Sequence, residues 1–174
     1  ARQVARVNPN ADRAQVDKRS AGMPRAEFGG HEAVLLEANA ILEPQADSKG
    51  VFDFSILDAG SILAAAVLDV QPSDQVLDLC AAPGGKSLIL AAKLGSQGSL
   101  IANEISDRRR AALRGFIDDY VPEAKRSQIT VSAHDAARWC LEQLGVYDRI
   151  LLDAPCSGER QMLIDATEMK VWSP

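Results

Sequence analysis

Blocks of apolar and polar residues succeed one another along the chain, and their character changes near residue 51. Residues 1–27 show no clear periodicity and several polar breaks, which predicts an extended or weakly ordered arm. Residues 33–41 suit one short helix with Pro44 beyond its end, and residues 45–50 read as a polar linker. Past residue 51 the pattern sharpens. Ile62, Leu63, Ala66 and Val67 recur at helical spacing within 58–70. A turn at Pro72-Ser73-Asp74 leads into a short buried strand over 75–80, a glycine-bearing loop over 81–85 and a helix over 87–94. Gly95 and Gly98 end that helix. Strand 99–103, helix 107–120 stopped by Pro122, strand 128–131, helix 136–144 closed by Gly145, and strand 149–153 follow.

Strict alternation of strand and helix predicts an α/β fold, a parallel sheet with helices on both faces. The strands are short and rich in Leu, Ile and Val, as burial on both faces demands. The reading divides the chain into an N-terminal arm and linker, 1–50, and an α/β domain, 51–174. In open sheets of this kind ligands bind beyond the carboxyl ends of the strands, where every motif below falls.

Composition narrows the class. The chain has 174 residues, 47% hydrophobic and 25% charged, as in a globular domain. No apolar run is long enough to span a bilayer, so no membrane partner is expected. The net charge of −5 argues against a nucleic-acid partner, but its distribution softens that. Arg2, Arg6, Arg13, Lys18, Arg19 and Arg25 crowd the start, and Arg108, Arg109, Arg110 and Arg114 form a second basic cluster. Each reads as a solvated face or as an RNA contact, and the one at the start also as a disordered tail. An Arg-bearing start also suits the remnant of an organelle transit peptide, against which Asp12 and Asp17 count. Cys80, Cys140 and Cys156 are an odd, sparse set, without a disulfide framework; with His31 and His134 they show no metal-ligand spacing, so no metal is expected.

The first strand of the domain runs into Asp78-Leu79-Cys80-Ala81-Ala82-Pro83-Gly84-Gly85-Lys86. Glycines admit a ligand close to the backbone, and the following helix start offers free N–H groups. Neither the G-x-G-x-x-G of a dinucleotide site nor the P-loop spacing is present. S-adenosylmethionine (SAM) has no phosphate and ends in an amino acid; its ammonium suits Asp78 and its carboxylate suits the loop N–H groups. Glu104, about 20 residues past the glycine loop, suits a ribose diol, or else a helix-capping role. Asp135 suits an adenine amino group, an N-cap, or both. His134 reads as structural, as do Cys140 and Cys80. The fourth strand ends in Asp153-Ala154-Pro155-Cys156-Ser157-Gly158, which sets an acid and a thiol at the ligand edge.

VLDLCAAPGGKS (76–87) resembles the SAM-binding motif of the RNA 5-methylcytosine methyltransferases of the Sun/Fmu and NSUN type, and DAPCSG (153–158) resembles that family's second signature. The upstream DAGSILAAAVLDVQPSD is similar to the helix before the family's first strand, so the resemblance covers roughly residues 58–172. Tyr120-Val121-Pro122-Glu123 and Glu159-Arg160 resemble the mitochondrial ribosomal RNA branch. The resemblance implies a Rossmann-like class I SAM-dependent methyltransferase fold without its C-terminal strands. It implies RNA, ribosomal RNA above all, as partner, with ribosome-assembly proteins beside it, and a mitochondrial or otherwise cytoplasmic setting.

Carried over by position, Asp78, Cys80, Ala81, Ala82, Pro83, Gly84, Gly85 and Lys86 would surround the methionine part of SAM. Glu104, where the family usually has Asp, would hold the ribose, with Arg109 at the edge of the site; Asp135 would meet the adenine, and Asp153 would face both SAM and the target base. Cytosine C5 is a poor nucleophile; a thiolate adding to C6 makes the ring an enamine that attacks the methyl, and Asp153 near N3 would stabilise the adduct. Cys156 matches the cysteine that helps release product. The family's attacking thiol lies in a later Thr-Cys pair, which this chain does not contain, so the chain alone is expected to be inactive. Two rival readings follow: a catalytically silent RNA-binding or ribosome-assembly factor on the same fold, and an amino-methyltransferase, which the Asp153-Ala154-Pro155-Cys156 string disfavours.

Overall fold

The computed structural model describes residues 3–37, 40–141 and 145–155. The N-terminal arm is a folded layer. β1 (Gln3–Val7), β2 (Arg25–Phe28), β3 (His31–Leu35) and β4 (Phe54–Asp58) form an antiparallel sheet in the order β2-β3-β1-β4, with α1 (Arg13–Arg19) between β1 and β2. This corrects two expectations: the weakly ordered arm, and the helix over 33–41, whose first residues belong to β3.

Both errors have physical causes. Val4, Ala5, Arg6 and Val7 are all buried, so β1 lies between two packed layers and shows no alternation. A short apolar run such as Ala33-Val34-Leu35-Leu36 cannot be told from a helical segment by period alone. The deciding signal was Gly29-Gly30, at φ 56° and 78°, a two-residue hairpin turn that puts Phe28 opposite His31. Nor is the basic start a disordered tail. Arg13 and Arg25 pair with Asp17 and Glu32, Arg19 pairs with the fully buried Asp53, and Arg6 is buried beside His31.

β4 hands over to α2 (Ala59–Ala66), which Asp58 caps by accepting from the Gly60 N–H at 2.7 Å. The helix expected over 58–70 therefore starts one residue later and ends earlier. Beyond it come β5 (Gln75–Asp78), α3 (Gly85–Ala91), β6 (Ser99–Asn103), α4 (Asp107–Tyr120), the short α5 (Glu123–Arg126), β7 (Ile129–Ser132), a 3₁₀ helix (Ala136–Leu141) and β8 (Arg149–Leu151). α5 was not expected, and the 3₁₀ helix stands where an α-helix was.

β5 to β8 make a parallel sheet in the order β7-β6-β5-β8. Its register aligns the strand ends, with Asp78 opposite Ala102 and Leu151, and Asn103 opposite Ser132. The two sheets share one core, in which Val4 and Ala33 meet Ile62, Val76, Ile89 and Leu100. A second cluster packs Leu113, Ile117 and Tyr120 of α4 against Ala82, Leu88 and Ala102. α1 covers the far face of the antiparallel sheet, where Val16 joins Ala5, Val34 and Phe54.

Candidate cofactor site at the strand ends

Asp78 closes β5 with its side chain 1% exposed. Its Oδ2 accepts from the Ser87 hydroxyl at 2.7 Å, whereas its Oδ1 is buried without a partner. Burial pushes its carboxyl up to about 6, against the pull of the Ser87 hydroxyl, the Cys80 N–H and the Lys86 ammonium. The start of the loop that follows is anchored to both neighbouring strands: the Leu79 N–H donates to Leu151 O and the Ala81 N–H to Asn103 O. Gly84 stands at φ 122°, which favours glycine, and a Cβ there would come 2.8 Å from Phe116 of α4. A Cβ on Gly85 would come 2.5 Å from Leu57 of β4.

A cavity of about 200 Å³ opens over this loop, lined by Leu57, Ser61, Asp78, Cys80, Ala81, Ala82, Pro83, Gly85, Lys86 and Asp153. Lys86 reaches across it to an ion pair with Asp153, which lies beyond β8 and is exposed. The Cys80 thiol is half-buried; burial first, then the Glu104 and Asp78 carboxylates, push it up, which keeps it protonated.

Glu104 lies just past β6, 3% exposed. Its Oε1 accepts from the Ser106 N–H at 2.9 Å. The Arg109 guanidinium lies 3.3 Å from its Oε2, a charge contact that makes no hydrogen bond, so that oxygen keeps its accepting capacity. Arg109 also donates to Ala82 O at 2.9 Å, which ties the carboxylate to the glycine loop. Asp135 is exposed and accepts from the Ala137 N–H at 3.0 Å, the helix-capping alternative. Cys156 lies outside the described residues, as do the side chains of Cys140 and residues 142–144.

The structure thus brings Asp78, Cys80, Ala81, Ala82, Pro83, Gly85, Lys86 and Asp153 around one cavity, and sets Glu104 and Arg109 behind Ala82. Leu57 and Ser61, supplied by β4 and α2, escaped the sequence reading because nothing in their spacing points at a loop some twenty residues later. Ser87 escaped as an ordinary helix residue. The second basic cluster divides: Arg109 and Arg110 fold back onto Glu104 and the start of α4, while Arg108 and Arg114 are exposed. Among the described residues, no group of His, Cys, Asp and Glu could hold a metal ion.

The two unfilled carboxylate oxygens, Asp78 Oδ1 and Glu104 Oε2, fit a ligand that brings hydrogen-bond donors and repel a phosphate. Residues 65–170 match the family described as 16S rRNA methyltransferase RsmB/F. The chain belongs to that family. It is 38% identical over 125 residues to the 5-cytosine rRNA methyltransferase NSUN4 of Xenopus tropicalis, covering 71% of this chain and 30% of the relative. It is 40% identical over 110 residues to the mitochondrial tRNA (cytosine(34)-C(5))-methyltransferase of Danio rerio, covering 63% and 30%. The chain therefore spans about a third of the length of these curated relatives. A methyltransferase homolog protein from Pyrococcus horikoshii has the same fold, with a TM-score of 0.67 at 22% identity, covering 97% of this chain and 55% of that one. The fold of this RsmB/F-family chain is the Rossmann-like α/β fold of SAM-dependent methyltransferases, and the candidate site lies at the carboxyl ends of its parallel strands.

Proposed function

We propose that the protein containing this chain is a SAM-dependent RNA cytosine-5 methyltransferase acting on ribosomal RNA, and that these residues form its cofactor site. The observation that carries the reading is the pair of buried, unfilled acceptors at the ends of neighbouring strands, Asp78 Oδ1 and Glu104 Oε2. Asp78 would take the ammonium of SAM, and the loop N–H groups of Ala82, Gly84 and Gly85, past the Ala81 N–H that Asn103 O already holds, its carboxylate. Glu104, steadied by Arg109, would take the ribose hydroxyls. Asp135, whose carboxylate keeps a second oxygen beyond its capping bond, would meet the adenine. SAM supplies an electrophilic methyl group. Lys86 would stay with the methionine part of SAM, and Asp153, ion-paired to it, would face both SAM and the target base, supporting N3 of a cytosine made nucleophilic by a thiol added at C6. Cys156 would assist release. Ribosomal RNA and the assembly proteins that accompany it are the proposed partners, and the mitochondrion the proposed location. Support comes from family membership, the resemblance of the 120–123 and 159–160 strings, and a mitochondrial relative.

The test is methyl transfer. The full-length protein, given methyl-labelled SAM with small-subunit ribosomal RNA or tRNA, should put label into 5-methylcytosine of the ribosomal RNA. Label in tRNA alone would change the substrate. A protein that binds SAM and RNA but transfers nothing would be the silent RNA-binding factor instead.

A further inference from the structure

Asn103 ends β6, 1% exposed, with all four hydrogen-bonding positions of its side chain used. Its Nδ2 donates to Leu79 O at 3.0 Å and to His134 O at 2.9 Å; its Oδ1 accepts from the Ser132 hydroxyl at 2.9 Å and from the His134 N–H at 2.8 Å. Its own carbonyl accepts from the Ala81 N–H at 2.8 Å. Cys80 is therefore flanked by two residues bonded to Asn103, and His134, next to Asp135, is bonded to it through both its N–H and its carbonyl. Two carbonyls on one side and two donors on the other fix the amide's orientation and require an amide. An aspartate of the same shape would lose both donated bonds and add a charge next to buried Glu104.

We propose that Asn103 is the positioning residue of the cofactor site: it locks the loop after β5 and the loop after β7 in one register, so that a ligand spanning both meets two preset walls. The inference rests on the SAM reading above. It concerns coupling between loops, not contact with the ligand, and so predicts a selective loss. SAM touches the loop after β5 through its amino-acid end and the loop after β7 through its adenine. 5′-Methylthioadenosine lacks the amino-acid end and gains little from their mutual alignment.

The experiment titrates both ligands into full-length wild type, Asn103→Asp and Ser132→Ala, with far-UV circular dichroism as a check on folding. Wild type should bind SAM. Asn103→Asp should weaken SAM more than about tenfold, as expected for two lost bonds, but methylthioadenosine less than about threefold. Ser132→Ala removes one bond and leaves the loops joined, so both affinities should stay close to wild type. If Asn103→Asp fails to fold, Asn103→Ser, which is smaller and uncharged, replaces it with the same expectation. Equal loss of both ligands would mean a merely structural asparagine and would overturn the proposal. Wild type that binds neither ligand would bring down the cofactor reading itself, a separate and recognisable failure.

Discussion

The Ser87 hydroxyl holds one oxygen of the Asp78 carboxylate at 2.7 Å and leaves the other buried and bare. A carboxylate in that position is costly to ionise, and its folded value, about 6, lies above its unfolded 3.8. The contribution of such a group to stability is complete below about pH 4 and is lost as pH rises through 6, about 3 kcal/mol in all. Asp78→Asn cannot titrate. Denaturation of ligand-free wild type and Asp78→Asn between pH 4 and pH 7.5 should therefore show the wild type losing about that much relative to the variant. A constant difference across the range would mean the carboxylate is already paired or solvated. An ammonium ligand would relieve this cost, so SAM should stabilise wild type more at pH 7 than at pH 5.

Glu104 and Arg109 behave as one unit, because the same guanidinium contacts Glu104 Oε2 and holds Ala82 O. Glu104→Gln keeps the shape but would weaken the two charge-assisted bonds proposed to the ribose, with an expected loss of about 1.5–3 kcal/mol, roughly tenfold or more in SAM affinity. Arg109→Lys cannot reach both partners with one point charge and should weaken SAM by a smaller factor. Calorimetric titration measures both. An affinity within error of wild type for Glu104→Gln would remove this carboxylate from the site.

Gly85 was expected to leave room for the ligand, yet the space beside it belongs to Leu57, whose Cδ2 would meet a Cβ at 2.5 Å. Gly85→Ala must displace the end of Leu57, a residue that lines the cavity, and SAM affinity should fall. Leu57→Ala added to Gly85→Ala should restore most of it. Failure of the double variant to recover would show that the glycine is needed for the backbone path and not for the neighbour's space. Gly84→Ala should not be rescued by trimming Phe116, since φ 122° strains any L residue.

β5, β6, β7 and β8 were legible because parallel strands buried on both faces appear as short apolar runs bounded by turn residues, as in Val76-Leu77 after Pro72. The site loop was legible because its residues are contiguous. β1 was not, because Arg6 is buried mid-strand and breaks the apolar pattern from within. Asn103 was visible as a strand end but not as a tie, since Leu79, Ser132 and His134 come to it only through the order β7-β6-β5. Leu57 met Gly85 only because a separate sheet packs against the parallel one.

Cys156 separates an enzyme from a silent relative of the same fold. In the family it resembles, the cysteine of this motif assists breakdown of the covalent adduct, while a second thiol, in a Thr-Cys pair, attacks C6. The 174 residues contain no Thr-Cys pair, so the experiment requires the full-length protein. Cys156→Ala should leave attack and methyl transfer intact but slow release, and RNA should stay bound to the protein through denaturing electrophoresis. The isolated chain should trap nothing, with or without the substitution. Loss of all activity without trapping would make Cys156 itself the nucleophile and reverse the two thiols' roles. Absence of a trapped species together with an inactive wild type would leave SAM binding without chemistry, and the protein would then be an RNA-binding factor on a methyltransferase fold.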